Sequence, residues 1–298
     1  MEKIRIGTRG SKLALWQANY TQQLLQEQQV ASELVIIKTK GDKIQHLGFD
    51  KMEGKGFFTK EIEDALLANQ IDIAVHSMKD LPTANPEGLV ISAVSYRDNP
   101  ADWLLIRKEG IDASQDLGLR QNAVVGTSSA RRKAQMRYLR PDVELKDIRG
   151  NVPTRIQKLR DGQFDAILLA AAGISRLELD VDEFKVVRFH PREFVPAPAQ
   201  GVLAWQTRVD DLPTRRILKG IHNKAVAEQT NVERQVLRLF EGGCQMPLGV
   251  FCEKDAVGNY HIWAAKAAAW DQPLQRVQLS SSTSFGLAER VVEQLKSL

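Results

Sequence analysis

An α/β protein, two α/β domains followed by a small α+β domain, is the fold class this sequence predicts, and three observations predict it. Strand-like apolar runs alternate with amphipathic helical segments from Lys3 to Arg176, the pattern of a mainly parallel sheet covered by helices. The alternation runs through two successive units, although no clear sequence repeat relates them. From about residue 220 the style changes to a helix, short alternating strands and a final helix. At 298 residues the chain is also too long for one ordinary core.

The elements follow in order. KIRIG (3–7) reads as a strand and 11–28 as an amphipathic helix that Ser11 can cap; ELVIIKT (33–39) is a second strand. The segment 57–70 is a helix with Phe58, Ile62, Ala65 and Leu66 on one face, and DIAVHS (72–77) is a buried strand. In the second unit, 102–107 and 123–128 are strands, 129–139 is a helix opened by Ser129, and 143–148 is a strand. The helix at 151–162 has Pro153 in its first turn, and 165–173 is a buried strand running into a short helix. PAPAQG (196–201) returns the chain towards the first domain. The last part has a helix at 232–243, strands at 248–253, 259–267 and 275–280, and a helix near 284–297 with Leu287, Val291, Val292 and Leu295 on its apolar face. The domain boundaries expected are 1–98 with 197–218, then 99–196, then 219–298.

Composition excludes several classes. Hydrophobic content of 43% and charged content of 26% describe a globular chain, and no apolar run approaches the ~20 residues that cross a bilayer. The start, MEKIRIGTRG, has no apolar signal segment, so a cytoplasmic protein with reduced thiols and no membrane partner is expected. The two cysteines, Cys244 and Cys252, make neither a disulfide framework nor a familiar zinc spacing, and no metal site is visible. Between Arg131 and Arg176 stand eight arginines and five acids, with only Tyr138 and Phe164 as aromatics. That shortage of stacking platforms argues for a small polyanionic ligand and against nucleic acid. Arg137, Arg140 and Arg160 are expected on solvated helix faces.

Four strand-to-helix junctions carry anion-binding chemistry, because guanidinium forks and helix N-terminal N–H groups suit carboxylates and phosphates. They are TRGS (8–11) with Arg9 and Ser11, HSMKD (76–80), GTSSARR (126–132) with Thr127, Ser128, Ser129, Arg131 and Arg132, and RGNVPTR (149–155) with Arg149, Gly150 and Arg155. Asp80 is the odd charge among these cations; it is either a turn cap before Leu81-Pro82 or a group that stabilises a cationic intermediate and passes protons. His76 reads as a packed strand-end histidine, or less simply as a base. In EGGCQMPLG (241–249), two glycines before Cys244 leave a thiol able to project and hold a covalent group, against the plainer reading of a small buried hydrophobe. Cys252 reads as core. The glycines of EGKGFF (53–58) mark a loop with Lys51 and Lys55 as possible ligand contacts, and no P-loop pattern is present.

HSMKD, VGTSSARR (125–132), RGNVPTR and EGGCQMPLG together closely resemble the porphobilinogen deaminase (hydroxymethylbilane synthase) family, and TRGSKLALWQA (8–18), GKGFFTKEIE (54–63) and PAPAQG fit it too. The resemblance spans essentially the whole chain in the right order. It implies two domains like those of periplasmic binding proteins and a third carrying a dipyrromethane cofactor joined by a thioether to Cys244. It implies Asp80 as the catalytic aspartate. It implies that Lys79, Thr127, Ser129, Arg131, Arg132, Arg149 and Gly150 hold the cofactor. Arg9, Ser11, Arg149, Arg155, Arg176, Gln200 and the loop lysines Lys51 and Lys55 are implied to bind substrate. The implied reaction joins four porphobilinogen molecules with loss of ammonia and releases hydroxymethylbilane by hydrolysis; a monomer suffices for it.

The chain departs from the family pattern at Ala199, where glycine is common, at Val202, where a small residue is common, and at Gln206, where an acid is common. The third domain also looks somewhat short. Gln200 and Gly201 are retained, so the loop is expected to survive with slightly altered geometry. Two other readings are a non-catalytic two-domain anion-binding module, and a cysteine-nucleophile hydrolase or transferase pairing Cys244 with His76.

Overall fold

The computed structural model describes residues 3–39, 59–241 and 246–297. The chain divides into two compact units, Met1–Asp98 with Gly201–Glu228, and Asn99–Gln200 with Gln229–Leu298.

In the first unit, strands β1 (Ile4–Thr8), β2 (Ser32–Ile36), β3 (Ile73–Ser77), β4 (Leu89–Val94) and β10 (Leu203–Arg208) form one sheet in the order β2-β1-β3-β10-β4. β1 is parallel to β2 and β3, whereas β10 is antiparallel to both its neighbours. Helix α1 (Lys12–Glu27) starts where the Ser11 hydroxyl accepts from the Ala14 N–H at 3.3 Å, closing one of the donors a helix start leaves open. Ala18 and Leu25 of α1 pack with Ile6, Ile73, Val75, Trp205 and Leu218, the last from helix α6 (Leu212–Lys219). Helix α2 (Lys60–Leu67) puts Ile62, Ala65 and Leu66 on the opposite face, against Ile71, Ala74 and Leu89.

In the second unit, β5 (Asp102–Ile106), β6 (Val124–Gly126), β7 (Glu144–Lys146), β8 (Ala166–Ala170) and β9 (Lys185–Arg188) form a sheet in the order β7-β6-β8-β5-β9. β6 is parallel to β7 and β8, and β5 is antiparallel to β8 and β9. Both sheets therefore share one order and one set of directions, with an antiparallel strand fourth in each. The alternation predicts mainly parallel sheets; the structure inserts one reversed strand into each, and β4, β9, β10 and α6 are elements beyond those expected. Helices α3 (Ala130–Leu139), α4 (Val152–Arg160) and α5 (Ala171–Arg176) follow β6, β7 and β8. Apolar side chains fill both faces of this sheet, Leu104, Ile106, Val125 and Leu168 on one and Leu105, Ile167, Leu169 and Ile174 on the other.

The same unit contains an antiparallel sheet of β11 (Leu248–Lys254), β12 (Tyr260–Lys266) and β13 (Gln275–Ser281). Val232, Val236 and Leu237 from helix α7 (Lys224–Leu239) and Leu287, Val291 and Leu295 from α8 (Leu287–Ser297) cover one face of it. Helix α7 begins well before the expected Val232. The α/β class with a small β-rich C-terminal part is thus the observed architecture.

Candidate active site

In the first unit, β1 and β3 are parallel neighbours, so the segments leaving their C-terminal ends emerge at one edge of the sheet. Arg9 and Ser11 follow β1; Lys79 and Asp80 follow β3 in a 3₁₀ turn, Met78–Asp80. This turn is anchored from below. Met78 is buried, and its N–H donates to the Val202 carbonyl at 2.9 Å, just before β10. Asp80 itself is exposed and Lys79 half-buried. The turn thus sets Asp80, with Lys79 beside it in the chain, just past the C-terminal end of β3.

His76 is not presented. It lies within β3, is 6% exposed, and no partner meets its Nε2 among the described residues. Burial away from water holds its imidazole down to about 4, so it is neutral at pH 7 and packed. Gln206, on the adjacent β10, donates to Glu63 Oε1 at 3.1 Å inside the same unit, so the amide supplies a proton where an acid would bring a second buried carboxylate.

In the second unit, three parallel neighbours again deliver three segments to one edge. After β6, the Thr127 hydroxyl accepts from the Ser129 N–H at 3.3 Å, and Ser129 caps α3 by accepting from the Arg132 N–H. After β7 come Arg149 and Gly150, and Asn151 caps α4. Gly150 has φ +114°, a backbone conformation that L side chains rarely adopt, and its carbonyl accepts from Arg155 Nε at 2.7 Å. After β8 comes α5, ending at Arg176, which is buried. Arg149 and Arg155 are half-buried.

Arg131 and Arg132 occupy the first turn of α3, both nearly sealed, and they meet a residue that motif reading missed. Asp102 opens β5 directly opposite Ala170, the last residue of β8, so antiparallel pairing brings it to the same edge. It is wholly buried. Its Oδ2 accepts from Arg131 Nη1 at 2.6 Å, and its Oδ1 accepts from Arg132 Nη2 at 2.7 Å, Arg132 Nε at 3.1 Å and Gln200 Nε2 at 3.0 Å. Burial alone would raise this carboxyl; the two guanidiniums outweigh it and hold it well below the usual carboxylate range. The available signal was an aspartate at the mouth of an otherwise apolar strand, DWLLI. Gln200 is buried too, and its amide also donates to the Pro100 carbonyl at 2.7 Å.

Arg140 departs from expectation. It is buried, pairs with Asp142 at 2.7 Å and donates to the carbonyls of Asp116 and Leu119, so it closes a loop. Arg160 does lie on the surface, paired with Glu183, and Arg137 is exposed. Lys51, Lys55 and Cys244 lie outside the described residues. Cys252 is a buried core residue, its N–H donating to Glu233 Oε1 at 2.8 Å. Among the described residues no helix is long and apolar enough to cross a membrane.

A family model described as "Porphobilinogen deaminase, dipyromethane cofactor binding domain" matches residues 4–216. The chain is 48% identical over 254 residues to the porphobilinogen deaminase of Sulfurimonas denitrificans, covering 84% of this chain and 79% of that one. It is 45% identical over 258 residues to that of Maridesulfovibrio salexigens, covering 86% and 82%. Among solved structures, a periplasmic substrate-binding protein of an ABC transporter from Coxiella burnetii aligns with a TM-score of 0.44 at 10% identity, over 75% of this chain and 93% of that one.

Proposed function

This chain belongs to the porphobilinogen deaminase family, and on that premise we propose how its own residues divide the work. It is a hydroxymethylbilane synthase, joining four porphobilinogen molecules head to tail with loss of ammonia and releasing the linear tetrapyrrole by hydrolysis, and it uses a dipyrromethane cofactor. When bound, that cofactor supplies the free pyrrole α-carbon from which the chain is extended. The residues present fit such a group: guanidiniums and capped helix N-termini at the edge of the second unit's sheet are donors matched to acetate and propionate carboxylates.

In our reading Cys244 carries the thioether, and Lys79, Thr127, Ser129, Arg131, Arg132, Arg149 and Gly150 hold the cofactor's carboxylates. Arg9, Ser11, Arg149, Arg155, Arg176, Gln200, Lys51 and Lys55 receive those of substrate. Asp80 stabilises the positive charge that develops on the substrate pyrrole as ammonia leaves, and takes up the proton released when the new carbon–carbon bond forms. The observation that carries this assignment is the presentation of Asp80, exposed beside Lys79, in a turn pinned by the Met78–Val202 hydrogen bond. We further read the protein as a cytoplasmic monomer with no nucleic-acid or membrane partner, organised as 1–98 with 197–218, 99–196 and a cofactor-carrying 219–298.

The test is the intact mass of the purified, denatured protein, followed by peptide mapping of residues 241–252. A two-pyrrole adduct on Cys244 is expected. An unmodified Cys244 that porphobilinogen cannot convert would overturn the assignment and favour a non-catalytic anion-binding protein.

A further inference from the structure

The two adjacent arginines that open α3 are not equivalent. Every side-chain nitrogen of Arg132 is engaged: Nε and Nη2 on Asp102 Oδ1, and Nη1 on the Leu168 carbonyl at 3.1 Å. Arg131 spends only Nη1, on Asp102 Oδ2 and on the Val195 carbonyl at 3.0 Å. Among the described residues no acceptor meets its Nε or Nη2. The Val195 carbonyl is itself held, because Gln135 donates to it at 2.9 Å and accepts from the Val195 N–H at 2.6 Å. One buried carboxylate thus faces two buried guanidiniums, and the cluster keeps one net positive charge.

We infer that Asp102 is a positioning residue for cofactor binding: it absorbs Arg132 as a backing group and aims the Nε–Nη2 edge of Arg131 at a cofactor carboxylate. The inference rests on the reading that this sheet edge holds the dipyrromethane, and it narrows that reading by moving Arg132 from direct contact to support. A guanidinium binds a carboxylate best through two parallel N–H groups on one edge, and the Nε–Nη2 edge is such a pair. Freed of Asp102, the Arg131 fork would have several rotamers to search, and its grip would weaken although the local charge had grown more positive. Gln200 extends the same device, tying the Asp102 carboxylate to the segment at residue 200.

This sign reversal makes the proposal testable. Apo-protein is prepared as wild type, Asp102→Asn, Arg132→Lys, Arg131→Gln and the Asp102→Asn/Arg131→Gln double variant. Each is incubated with porphobilinogen, and appearance of the two-pyrrole adduct is followed by intact mass, with thermal unfolding as the control for folding. If net charge alone drew in the carboxylate, Asp102→Asn would load as fast as wild type or faster, and Arg132→Lys would be unchanged. The positioning role predicts that both load about tenfold more slowly or worse, the scale seen when a partner that orients a ligating group is removed. It also predicts that the double variant is no slower than Arg131→Gln, because Asp102 acts through Arg131. Wild-type loading in Asp102→Asn, or multiplicative losses in the double variant, would overturn it. Should Asp102→Asn fail to fold, Arg132→Lys decides alone, since it keeps the charge and loses only the fork. A wild-type protein that takes up no adduct would instead count against the cofactor reading itself.

Discussion

Lowering the pH should destabilise this protein through His76 before any carboxylate contributes. The imidazole sits inside β3, and burial holds it at about 4 against an ordinary 6.5. In the unfolded chain His76 takes up a proton below about pH 6.5, whereas the folded chain refuses one until about pH 4. The unfolded state therefore binds more protons across this window, and stability must rise with pH from 4 to 6.5 and then level off. At 1.36 kcal/mol per pKa unit the full span is worth about 3 kcal/mol, of which about 2 kcal/mol is already lost at pH 5. The assay is urea unfolding of the wild type and His76→Gln at intervals from pH 5 to 7.5. The wild type should lose about 2 kcal/mol more than the variant between pH 7 and pH 5. Parallel pH profiles for the two proteins would refute the reasoning, because the slope would then belong to other groups.

Asp80→Asn should unfold at the wild-type temperature, since the side chain is exposed, yet lose roughly a hundredfold or more in turnover, the usual scale for removing a preorganised stabilising group. Steady-state formation of hydroxymethylbilane measures it, and a near-normal rate sinks the role assigned to Asp80. Ala199 holds φ +61° while fully buried, with its N–H on Glu233 Oε2 at 2.6 Å, so Ala199→Gly should relieve strain without moving that bond. Relief of about 1–2 kcal/mol against a glycine entropy cost of about 0.5–1 kcal/mol leaves a net gain near 0.5–1 kcal/mol, visible in denaturant midpoints. A loss of stability would mean that the methyl group's packing outweighs the strain.

Much of the fold was legible because local signals and tertiary structure agree. Ser11, Ser129 and Pro153 mark helix starts that the structure keeps at Lys12, Ala130 and Val152. The strands that escaped notice, β4, β9 and β10, are paired in or beside the antiparallel part of each sheet, where the βα alternation stops and no crossover helix announces the next strand. The motif residues at the sheet edges were readable because each follows directly from a strand end. Asp102 was not, since its partners stand about thirty residues on and only strand pairing with β8 brings them together. Arg140 misled for a similar reason: a cation in a charged stretch looks solvated until the carbonyls of the 116–120 loop are seen to surround it.

The shared strand order has a consequence for how the chain assembles as it leaves the ribosome. The second unit's sheet is drawn from one continuous stretch, residues 102–188, with its reversed strand made first. The first unit's sheet receives its reversed strand last, and that strand is interior, lying between β3 and β4 and carrying the fully buried Trp205. A nascent chain that has emerged only as far as Asp98 therefore has two strands with a slot between them and no residues yet to fill it. The unit begun first is completed only after a hundred further residues have been made, and the 78–80 turn that carries Asp80 acquires its Val202 anchor at that same late moment.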